Sequence, residues 1–304
     1  MRKHLAMLNK MPPRIVLAES CRSIVLLVAL LAAIPTLARS HALPKSAAGV
    51  DPGLRSAAVV VMDAGSEKVL YSRRADVAAP IASITKLMTA LVVLEAHQSL
   101  DETITISEED RRATLGNVSH LAVGTQLSRG DVMHLALMSS ENRAAHALGR
   151  TYPGGVPALV QAMNAKARAL GMSRTHFIEP TGLSSQNVAS PLDLTRLVRA
   201  TAQNQTVREF STDRKYAVIS GGRRFNFVNT NQLVSNPTWR ISLQKTGYIS
   251  EGGKCLVMKT VIRDREVVIV LLDSFGKYTR IADARRVRKW MESSDRWRSS
   301  LSAG

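Results

Sequence analysis

The chain has 304 residues, of which 41 are Lys or Arg and 24 are Asp or Glu, and its formal net charge is +17. Apolar residues make up 45% and charged residues 21%, which excludes an acidic disordered chain and allows a sizeable core. Two cysteines, Cys21 and Cys255, are too few for a disulfide scaffold or a cysteine-rich zinc site.

Residues 1–42 have the pattern of an export signal. A basic start with five Lys or Arg and one Glu precedes an apolar run over 24–37, and Arg39 follows the run. That run is shorter than the roughly 20 residues of a bilayer span, and Ser40-His41-Ala42 offers the small residues that a signal peptidase reads. We predict a periplasmic protein cleaved near Ala42, with an uncleaved N-terminal anchor as the alternative. Cleavage lowers the net charge from +17 to +12 and leaves Cys255, which is expected to be buried in a strand.

The first half of the mature chain is predicted to be a hairpin followed by helices. Residues 43–54 resemble a flexible lead-in, the main domain is predicted over 55–292, and a tail over 293–304. Two β-like runs, 57–62 and 68–71, flank a turn that contains Gly65. The predicted helices are a buried one beginning near Ser83, one N-capped by Asp131 that reaches Met138 and resumes to Arg150, one over 158–170 capped by Gly171, and one over 191–202.

From residue 215 the pattern becomes β-like. The predicted strands are 215–219, 223–228, 241–246, 255–262 and 267–272, with tight turns at Ser220-Gly221-Gly222 and Asp264-Arg265. A basic helix with Ile281, Ala284, Val287 and Met291 on one face closes the chain. This order predicts an α+β domain in which the first and last strands share one antiparallel sheet.

Ser-x-x-Lys occurs three times, and its context favours one copy. On a helix, positions i and i+3 share a face, so serine and lysine can form a nucleophile–base pair if the lysine pKa is lowered. Ser83/Lys86 opens an apolar helix, where free N–H groups favour developing negative charge. Ser242/Lys245 lies in a strand-like run, where i and i+3 point to opposite faces, and Ser274/Lys277 in a loop after a strand.

Other catalytic patterns are missing from the sequence. Neither the serine-esterase elbow Gly-x-Ser-x-Gly nor the zinc-protease motif His-Glu-x-x-His occurs, and the seven histidines are scattered. We therefore predict no metal site and no cofactor.

Two further motifs complete the set. Ser-x-Asn occurs at Ser140-Glu141-Asn142 and at Ser185-Gln186-Asn187, and Lys-Thr-Gly once, at Lys245-Thr246-Gly247. A strand with this last motif can bind a substrate backbone by edge pairing, and its Lys and Thr can bind a carboxylate. Gly247 removes a side chain where a substrate has to come close.

In this order, the motifs starting at Ser83, Ser140 and Lys245 resemble those of penicillin-binding DD-peptidases and serine β-lactamases. The stretches most similar to the D-alanyl-D-alanine endopeptidase branch of the low-molecular-mass penicillin-binding proteins are 83–90, 137–145, 179–183, 229–231 and 275–279. The resemblance covers roughly residues 55–292. It implies a five-stranded antiparallel sheet flanked by helices, with a mainly helical subdomain.

The resemblance also implies residue roles. Ser83 would attack the carbonyl of a D-alanyl peptide bond, with Lys86 as its base and Ser140 as the proton relay to the leaving amine. Lys245 would place a second positive charge near Lys86 and thereby lower the pKa of Lys86. The implied substrate-binding residues are Asn142, Lys245, Thr246 and Gly247, and the implied oxyanion-hole donors are the backbone N–H groups of Ser83 and Tyr248.

The implied partners are peptidoglycan stem peptides and β-lactams that acylate the enzyme. The motif context favours cleavage of cross-links, and a carboxypeptidase that trims pentapeptide stems is the alternative. The chain ends after its closing helix, whereas carboxypeptidase relatives often carry a further β domain, which also favours the endopeptidase. A class A β-lactamase is disfavoured because Glu179-Pro180 is followed by Thr181-Gly182-Leu183 rather than Leu-Asn.

Two functions outside this class are also considered. A wall-binding module without activity would tolerate loss of Ser83 or Lys86, and both are present. A polyanion-binding protein is disfavoured by the export signal and by the lack of a nucleic-acid motif. Residues 277–298 carry a net charge of +5, which indicates either a solvated helix face or attraction to an anionic wall or lipid surface.

Overall fold

The computed structural model describes residues 51–293. The predicted export signal over 1–42, most of the lead-in over 43–54 and all but the first residue of the tail over 293–304 lie outside the described residues. Within 51–293, none of the helices has the length and apolar character that a bilayer span requires.

The predicted strands and helices occur in the predicted order, with additional short elements between them. The strands are β1 (Ser56–Asp63), β2 (Val69–Arg73), β3 (Ala79–Pro80), β4 (Thr103–Thr105), β5 (Gln126–Ser128), β6 (Val188–Ala189), β7 (Lys215–Ser220), β8 (Arg223–Val228), β9 (Arg240–Ile249), β10 (Gly253–Ile262) and β11 (Arg265–Ser274). The helices are α1 (Thr85–Glu95), α2 (Glu108–Ala113), α3 (Arg129–Met138), α4 (Asn142–Arg150), α5 (Gly155–Ala169), α6 (Pro191–Thr201), α7 (Gln205–Thr212) and α8 (Thr279–Ser293), with short 3-10 helices at Ala82–Ile84 and Gln232–Ser235.

One five-stranded antiparallel sheet joins the two ends of the described chain. Its strand order is β2-β1-β11-β10-β9, and β1 pairs with β11 from Ser56 opposite Ser274 to Asp63 opposite Val267. This confirms the predicted α+β class and the shared sheet. Among residues 51–293, β9 lies at the edge and pairs with β10 alone. One long side of β9 is therefore free of sheet hydrogen bonds.

The sheet is covered on both faces, which explains its apolar strands. Val59, Val60 and Val61 are all fully buried. Alternate residues such as Val59 and Val61 pack with the predicted apolar face of α8, while α6 also contacts β1 and β11. At the start of α8, the buried carboxylate of Asp283 accepts hydrogen bonds from the backbone N–H groups of Arg55 and Ser56. These bonds anchor α8 to the first strand.

Several local predictions were wrong. The N-cap of α3 is Ser128, and Asp131 is its reciprocal partner three residues later, because each side chain accepts from the backbone N–H of the other. The turn between β10 and β11 is formed by Arg263 and Asp264, both with positive φ, while Arg265 already begins β11. The sequence did not predict the helices α2 and α7 or the short strands β3, β4, β5 and β6.

Candidate active site

Ser83 lies in the 3-10 turn Ala82–Ile84 that leads into α1. The preceding residue, Ala82, has φ of 49°, so the backbone is strained where the chain presents the serine. Ser83 is 9% exposed, and its Oγ lies 2.8 Å from the Nζ of Lys86 on the same face. The predicted pairing of these two residues is therefore present in the geometry.

The amine of Lys86 is buried and has three partners. Its Nζ lies 2.8 Å from Ser83 Oγ, 2.8 Å from Asn142 Oδ1 and 2.6 Å from the carbonyl oxygen of Thr181. The last two are acceptors only, so a neutral amine uses both its hydrogens on them and turns its lone pair to the Ser83 hydroxyl. Burial lowers the pKa of Lys86 to about 8, although Glu179 and Glu141 act in the opposite direction.

A second buried lysine, Lys245, contacts Ser140. Ser140 lies in the turn between α3 and α4 with φ of 62°, and Lys245 Nζ lies 2.8 Å from its Oγ. Burial, followed by the charges of Lys86 and Arg280, holds the pKa of Lys245 well below its usual value. Burial, and not the expected charge of Lys245, accounts for the lowered pKa of Lys86. If Lys245 loses its proton first, it is neutral while Lys86 titrates, and a neutral amine does not lower the pKa of its neighbour.

The middle residue of the Ser-x-Asn motif is itself part of the site. Glu141 is 6% exposed and accepts a hydrogen bond from Ser119 Oγ, which lies on the loop between α2 and β5. Burial raises the pKa of Glu141. The sequence reading gave this residue no role. A charged residue beside a predicted site serine, inside an apolar helical block, was the available signal.

Gly247 brings the edge strand against the nucleophile. A Cβ atom at this position would lie 2.9 Å from the Ile81 carbonyl oxygen and 3.1 Å from the Ser83 nitrogen. Only glycine therefore allows β9 to lie this close to Ser83. Thr246 Oγ1 lies 2.6 Å from Thr230 Oγ1, while Tyr248 is 60% exposed at the end of the motif.

Arg280 is a site residue that the sequence reading counted only as part of the basic helix. From the first turn of α8, its guanidinium donates to the Gly247 carbonyl at 2.7 Å. It thereby fixes the edge strand from the side of the sheet on which α8 packs. Burial lowers the pKa of Arg280.

The loop between α5 and α6 holds one hydrogen-bond partner of Lys86, the Thr181 carbonyl, in place. The carboxylate of Glu179 accepts from the backbone N–H groups of Thr181 and Gly182, each at 2.6 Å, and from Asn187 Nδ2 at 2.8 Å. These bonds hold the Thr181 carbonyl on Lys86. Asn187, from the second Ser-x-Asn copy, is fully buried in this loop and also donates to Thr85. That copy is therefore a support of the site and contributes no nucleophile.

The other two Ser-x-x-Lys copies form no pair. The side chain of Lys245 lies against Ser140, whereas Ser242 Oγ faces the Lys259 carbonyl, as expected for i and i+3 on a strand. Ser274 was predicted in a loop and is instead the last residue of β11. It is buried, and its hydroxyl lies 2.7 Å from that of Ser56.

Known proteins resemble this chain in sequence and in fold. The profile of the serine-peptidase family described as D-alanyl-D-alanine carboxypeptidase matches residues 45–276. The chain belongs to this family. It is a serine-type hydrolase of the DD-peptidase class.

Relatives within the family include named endopeptidases. The chain is 49% identical over 252 residues to a D-alanyl-D-alanine endopeptidase of Pseudomonas aeruginosa. The matched region covers 82% of this chain and 81% of the relative. It is 44% identical over 271 residues to one of Escherichia coli, covering 88% and 87%.

Solved structures of family members share the fold. The DD-transpeptidase of a Streptomyces strain matches with a TM-score of 0.74 and 27% identity, over 80% of this chain and 98% of that one. A D-alanyl-D-alanine carboxypeptidase from Mycobacterium tuberculosis matches with a TM-score of 0.74 and 26% identity, over 82% and 96%. The DD-peptidase fold implied by the motifs is thus confirmed.

Proposed function

We propose that this serine DD-peptidase is exported and hydrolyses D-alanyl cross-links between peptidoglycan stem peptides through an acyl-enzyme on Ser83. The observation that carries the proposal is the contact of Ser83 Oγ with a lysine whose other two partners are carbonyl oxygens. That arrangement orients a neutral amine toward the hydroxyl proton. It lies next to the free edge of β9, where a peptide can add as a further strand.

In the first step, Ser83 Oγ attacks the carbonyl carbon of the D-alanyl residue and its proton moves to Lys86 Nζ. A C–O bond forms and the carbonyl π electrons move to the oxygen. The backbone N–H groups of Ser83 and Tyr248 stabilise this oxyanion. Asn142 holds Lys86 through its carbonyl, which leaves its NH₂ group for the amide of the substrate.

In the second step, the C–N bond breaks and the leaving amine takes a proton. Ser140 relays it, since its hydroxyl lies 2.8 Å from Lys245 and can pass a proton supplied by Lys245 or Lys86. The acyl ester on Ser83 is then hydrolysed by water, which restores the hydroxyl and releases the carboxylic acid. The reaction is a balanced hydrolysis and consumes one water.

Lys245 and Thr246 bind the carboxylate of the residue on the leaving side. In the free site, burial keeps the Lys245 pKa low, and the arriving carboxylate favours its ammonium form. Substrate binding therefore raises the pKa of this lysine. Both a cross-link and a terminal D-Ala-D-Ala present a carboxylate at this place, so the same residues serve an endopeptidase and a carboxypeptidase.

The endopeptidase is favoured because the 49% and 44% identical relatives carry that name. The test offers the purified mature chain a cross-linked muropeptide dimer and a pentapeptide monomer, with Ser83→Ala as the control. We expect cleavage of the dimer by the wild type and none by the variant. Release of D-alanine from the monomer, with an intact dimer, would establish the carboxypeptidase instead.

β-Lactams are proposed as acylating inhibitors that leave slowly. Class A β-lactamases deacylate through a glutamate that activates water, whereas the nearby Glu179 has its oxygens engaged by the loop that it holds. A labelled penicillin should therefore remain on Ser83. Its rapid turnover would identify a β-lactamase.

Export with cleavage near Ala42 is part of the proposal, as is electrostatic contact with the wall or membrane surface. Within α8, Arg286 pairs with Asp283 and Arg288 with Glu292, whereas Arg285 and Lys289 are exposed. The exposed cations supply the contact with carboxylates outside the cytoplasm, and no nucleic acid is involved. N-terminal sequencing of the exported protein tests the cleavage site. Wall binding that is unchanged by salt would argue against the electrostatic contact.

A further inference from the structure

The segment Asn229-Thr230-Asn231, which follows β8, is one of the stretches that carry the family resemblance, and the proposed reaction gives it no role. Both asparagine side chains hold its backbone in place. Asn229 Nδ2 donates to the carbonyl oxygen of Asp213 at 2.8 Å. Asn231 Oδ1 accepts from the backbone N–H of Leu233 at 3.1 Å. The residue between them, Thr230, therefore has a fixed position.

The same segment is tied to the edge strand. Gln244, the residue before Lys245 on β9, is fully buried and donates through its Nε2 to Asn229 Oδ1 at 2.9 Å. Thr246 lies two residues further along β9. Thr230 and Thr246 thus belong to one rigid framework, and the distance between their side chains is set by it.

Thr230 joins the elements that carry Ser140 and Thr246. Its backbone N–H donates to the carbonyl of Met138, two residues before Ser140, at 3.2 Å. Its Oγ1 lies 2.6 Å from Thr246 Oγ1 and 3.4 Å from the Met138 carbonyl oxygen. The second distance is long for a hydrogen bond from a hydroxyl, so the contact between the two hydroxyls dominates.

The hydroxyl pair has two possible directions, and only one of them suits an anionic ligand. Two oxygens 2.6 Å apart need a hydrogen between them. If Thr246 donates to Thr230, its single hydrogen is used, and Thr246 offers only lone pairs to a ligand. If Thr230 donates to Thr246, the Thr246 hydrogen is free. An ionised carboxylate only accepts, so a carboxylate at Thr246 requires the second direction.

We propose that Thr230 is a positioning residue that fixes the hydroxyl of Thr246 as a donor to the leaving-side carboxylate of the substrate. The inference rests on the proposed function, in which Lys245 and Thr246 bind that carboxylate. Thr230 acts through Thr246. Its hydrogen bond also polarises the Thr246 O–H group, because hydrogen bonds in a chain strengthen one another.

Burial makes this support important. Thr246 is 3% exposed, and Thr230 is its one hydrogen-bonding side-chain partner among residues 51–293. Without the Thr230 hydroxyl, the Thr246 oxygen would lack a donor in a place that water hardly reaches. A buried hydroxyl without its partner costs free energy, and its direction is no longer specified.

The test compares benzylpenicillin with its carboxamide, which keeps the shape of the carboxyl group and removes its charge. The penicillin carboxylate lies on the leaving side of the reactive carbonyl, as the carboxylate of D-Ala-D-Ala does. The second-order rate constant for acylation of Ser83 is measured for both compounds, and their ratio, acid over amide, is compared between proteins. The wild type should prefer the acid. A wild-type ratio of about one would overturn the inference.

Thr230→Val removes the hydroxyl and keeps the branched shape. The acid-to-amide ratio should fall about five- to tenfold, as expected for losing one hydrogen bond that supports a charged contact. If Thr230 only supported the edge strand, both rate constants would fall together and the ratio would stay at the wild-type value. That outcome would overturn the inference.

Thr230→Ser is the conservative variant, and it should keep the ratio within about twofold of the wild type, because the hydroxyl remains. A ratio as low as that of Thr230→Val would contradict the role of the hydroxyl. Thr230→Ala is a second variant without the hydroxyl. It should match Thr230→Val, and it serves as the test if the thermal midpoint shows that the valine protein is not folded.

A second substitution separates positioning from direct contact. Thr246→Val removes the donor itself and should lower the ratio at least as far as Thr230→Val does. Adding Thr230→Val to Thr246→Val should then leave the ratio unchanged, because Thr230 has nothing left to orient. A further fall of the ratio would mean that Thr230 contacts the carboxylate directly, and would overturn the positioning role.

The matched control is Thr260→Val. Thr260 on β10 is 1% exposed, and its hydroxyl donates to the Arg240 carbonyl on β9 at 2.9 Å. The substitution removes a buried hydrogen bond to the same strand without a contact to Thr246. It should keep the full acid-to-amide ratio.

Failure of the proposed function has a different signature. If neither penicillin acylates Ser83 in the wild type, and neither the cross-linked dimer nor the pentapeptide monomer is cleaved, the proposed reaction is wrong. If the wild type is acylated and its preference for the acid survives Thr230→Val, the reaction stands and only the role of Thr230 is wrong.

Discussion

Two pairs of lysines near β9 have opposite surroundings. Lys86 and Lys245 are at most 1% exposed, and each contacts a serine hydroxyl. Lys254 and Lys277 lie against aromatic rings at an open groove, which the β9–β10 turn forms with the loop between β11 and α8. Burial removes the water that favours the ammonium form, so the first pair can exchange protons. The second pair lies outside the buried site and contacts no serine hydroxyl among residues 51–293.

Replacing Lys86 is expected to give the largest effect. Lys86→Met removes the base, and the rate of acylation by penicillin should fall by about 10³-fold or more. Lys86→Arg is the sharper change, because guanidinium retains hydrogen-bond donors and cannot lose its proton at neutral pH. We expect it to be as slow as the Met variant in single-turnover measurements. Near-wild-type acylation by Lys86→Arg would show that Lys86 only positions Ser83.

Replacing Gly182, which lies against Ala82 and Ser83, is expected to give the next largest effect. Gly182 has φ of 80°, and a Cβ atom there would lie 2.0 Å from the Ala82 carbonyl oxygen. Gly182→Ala therefore adds a collision next to Ser83 to the cost of the left-handed backbone, and should lower the free energy of unfolding by more than about 3 kcal/mol.

Gly116→Ala is the matched control for this collision. Gly116 also has φ of 80°, but nothing lies within 4 Å of its added Cβ. This variant should lose only about 1 kcal/mol, from backbone strain alone. Urea denaturation of both variants separates the cost of the collision from the cost of the left-handed backbone. Equal losses would mean that the loop carrying Thr181 yields easily, and that the position of Lys86 does not depend on it.

The sequence predicted the buried lysines better than the groove, for a physical reason. Ser83 and Lys86 are three residues apart on a helical turn, so local spacing alone brings them together. The Thr181 carbonyl that completes the Lys86 environment is 95 residues away along the chain. Its position depends on the Glu179 loop, whose conformation local residue spacing does not specify. Arg280 was missed because a basic helix face gives no sign that one guanidinium turns inward.

The groove depends even more on topology. Tyr248 and Lys254 are opposite each other across the β9–β10 pair, and Lys254 is opposite Ser274 on β11. Those registers bring residues from three strands and the following loop to one place. The strands themselves were predicted from apolar runs, but register was not. A shift of one residue would send each of these side chains to the other face of the sheet.

The pH dependence of acylation measures how strongly burial acts on Lys86. Its amine has to be neutral to accept the Ser83 proton, and its pKa is about 8. Below pH 8 the rate should rise tenfold per pH unit, and above pH 8 it should level off. Glu141→Gln removes a charge that favours the ammonium form, so the midpoint should move to lower pH. A midpoint near the usual lysine value of about 10.4 would contradict the role of burial.

A change in salt concentration should give the smallest effect. Raising the ionic strength from about 0.1 to 1 M shortens the screening length from about 10 to 3 Å in water, but acts little on buried charges. The pH midpoint of acylation should therefore stay within a few tenths of a unit, because the Lys86 amine is buried. A midpoint that moved with salt would mean that water and ions reach Lys86 freely, and would contradict the role of burial.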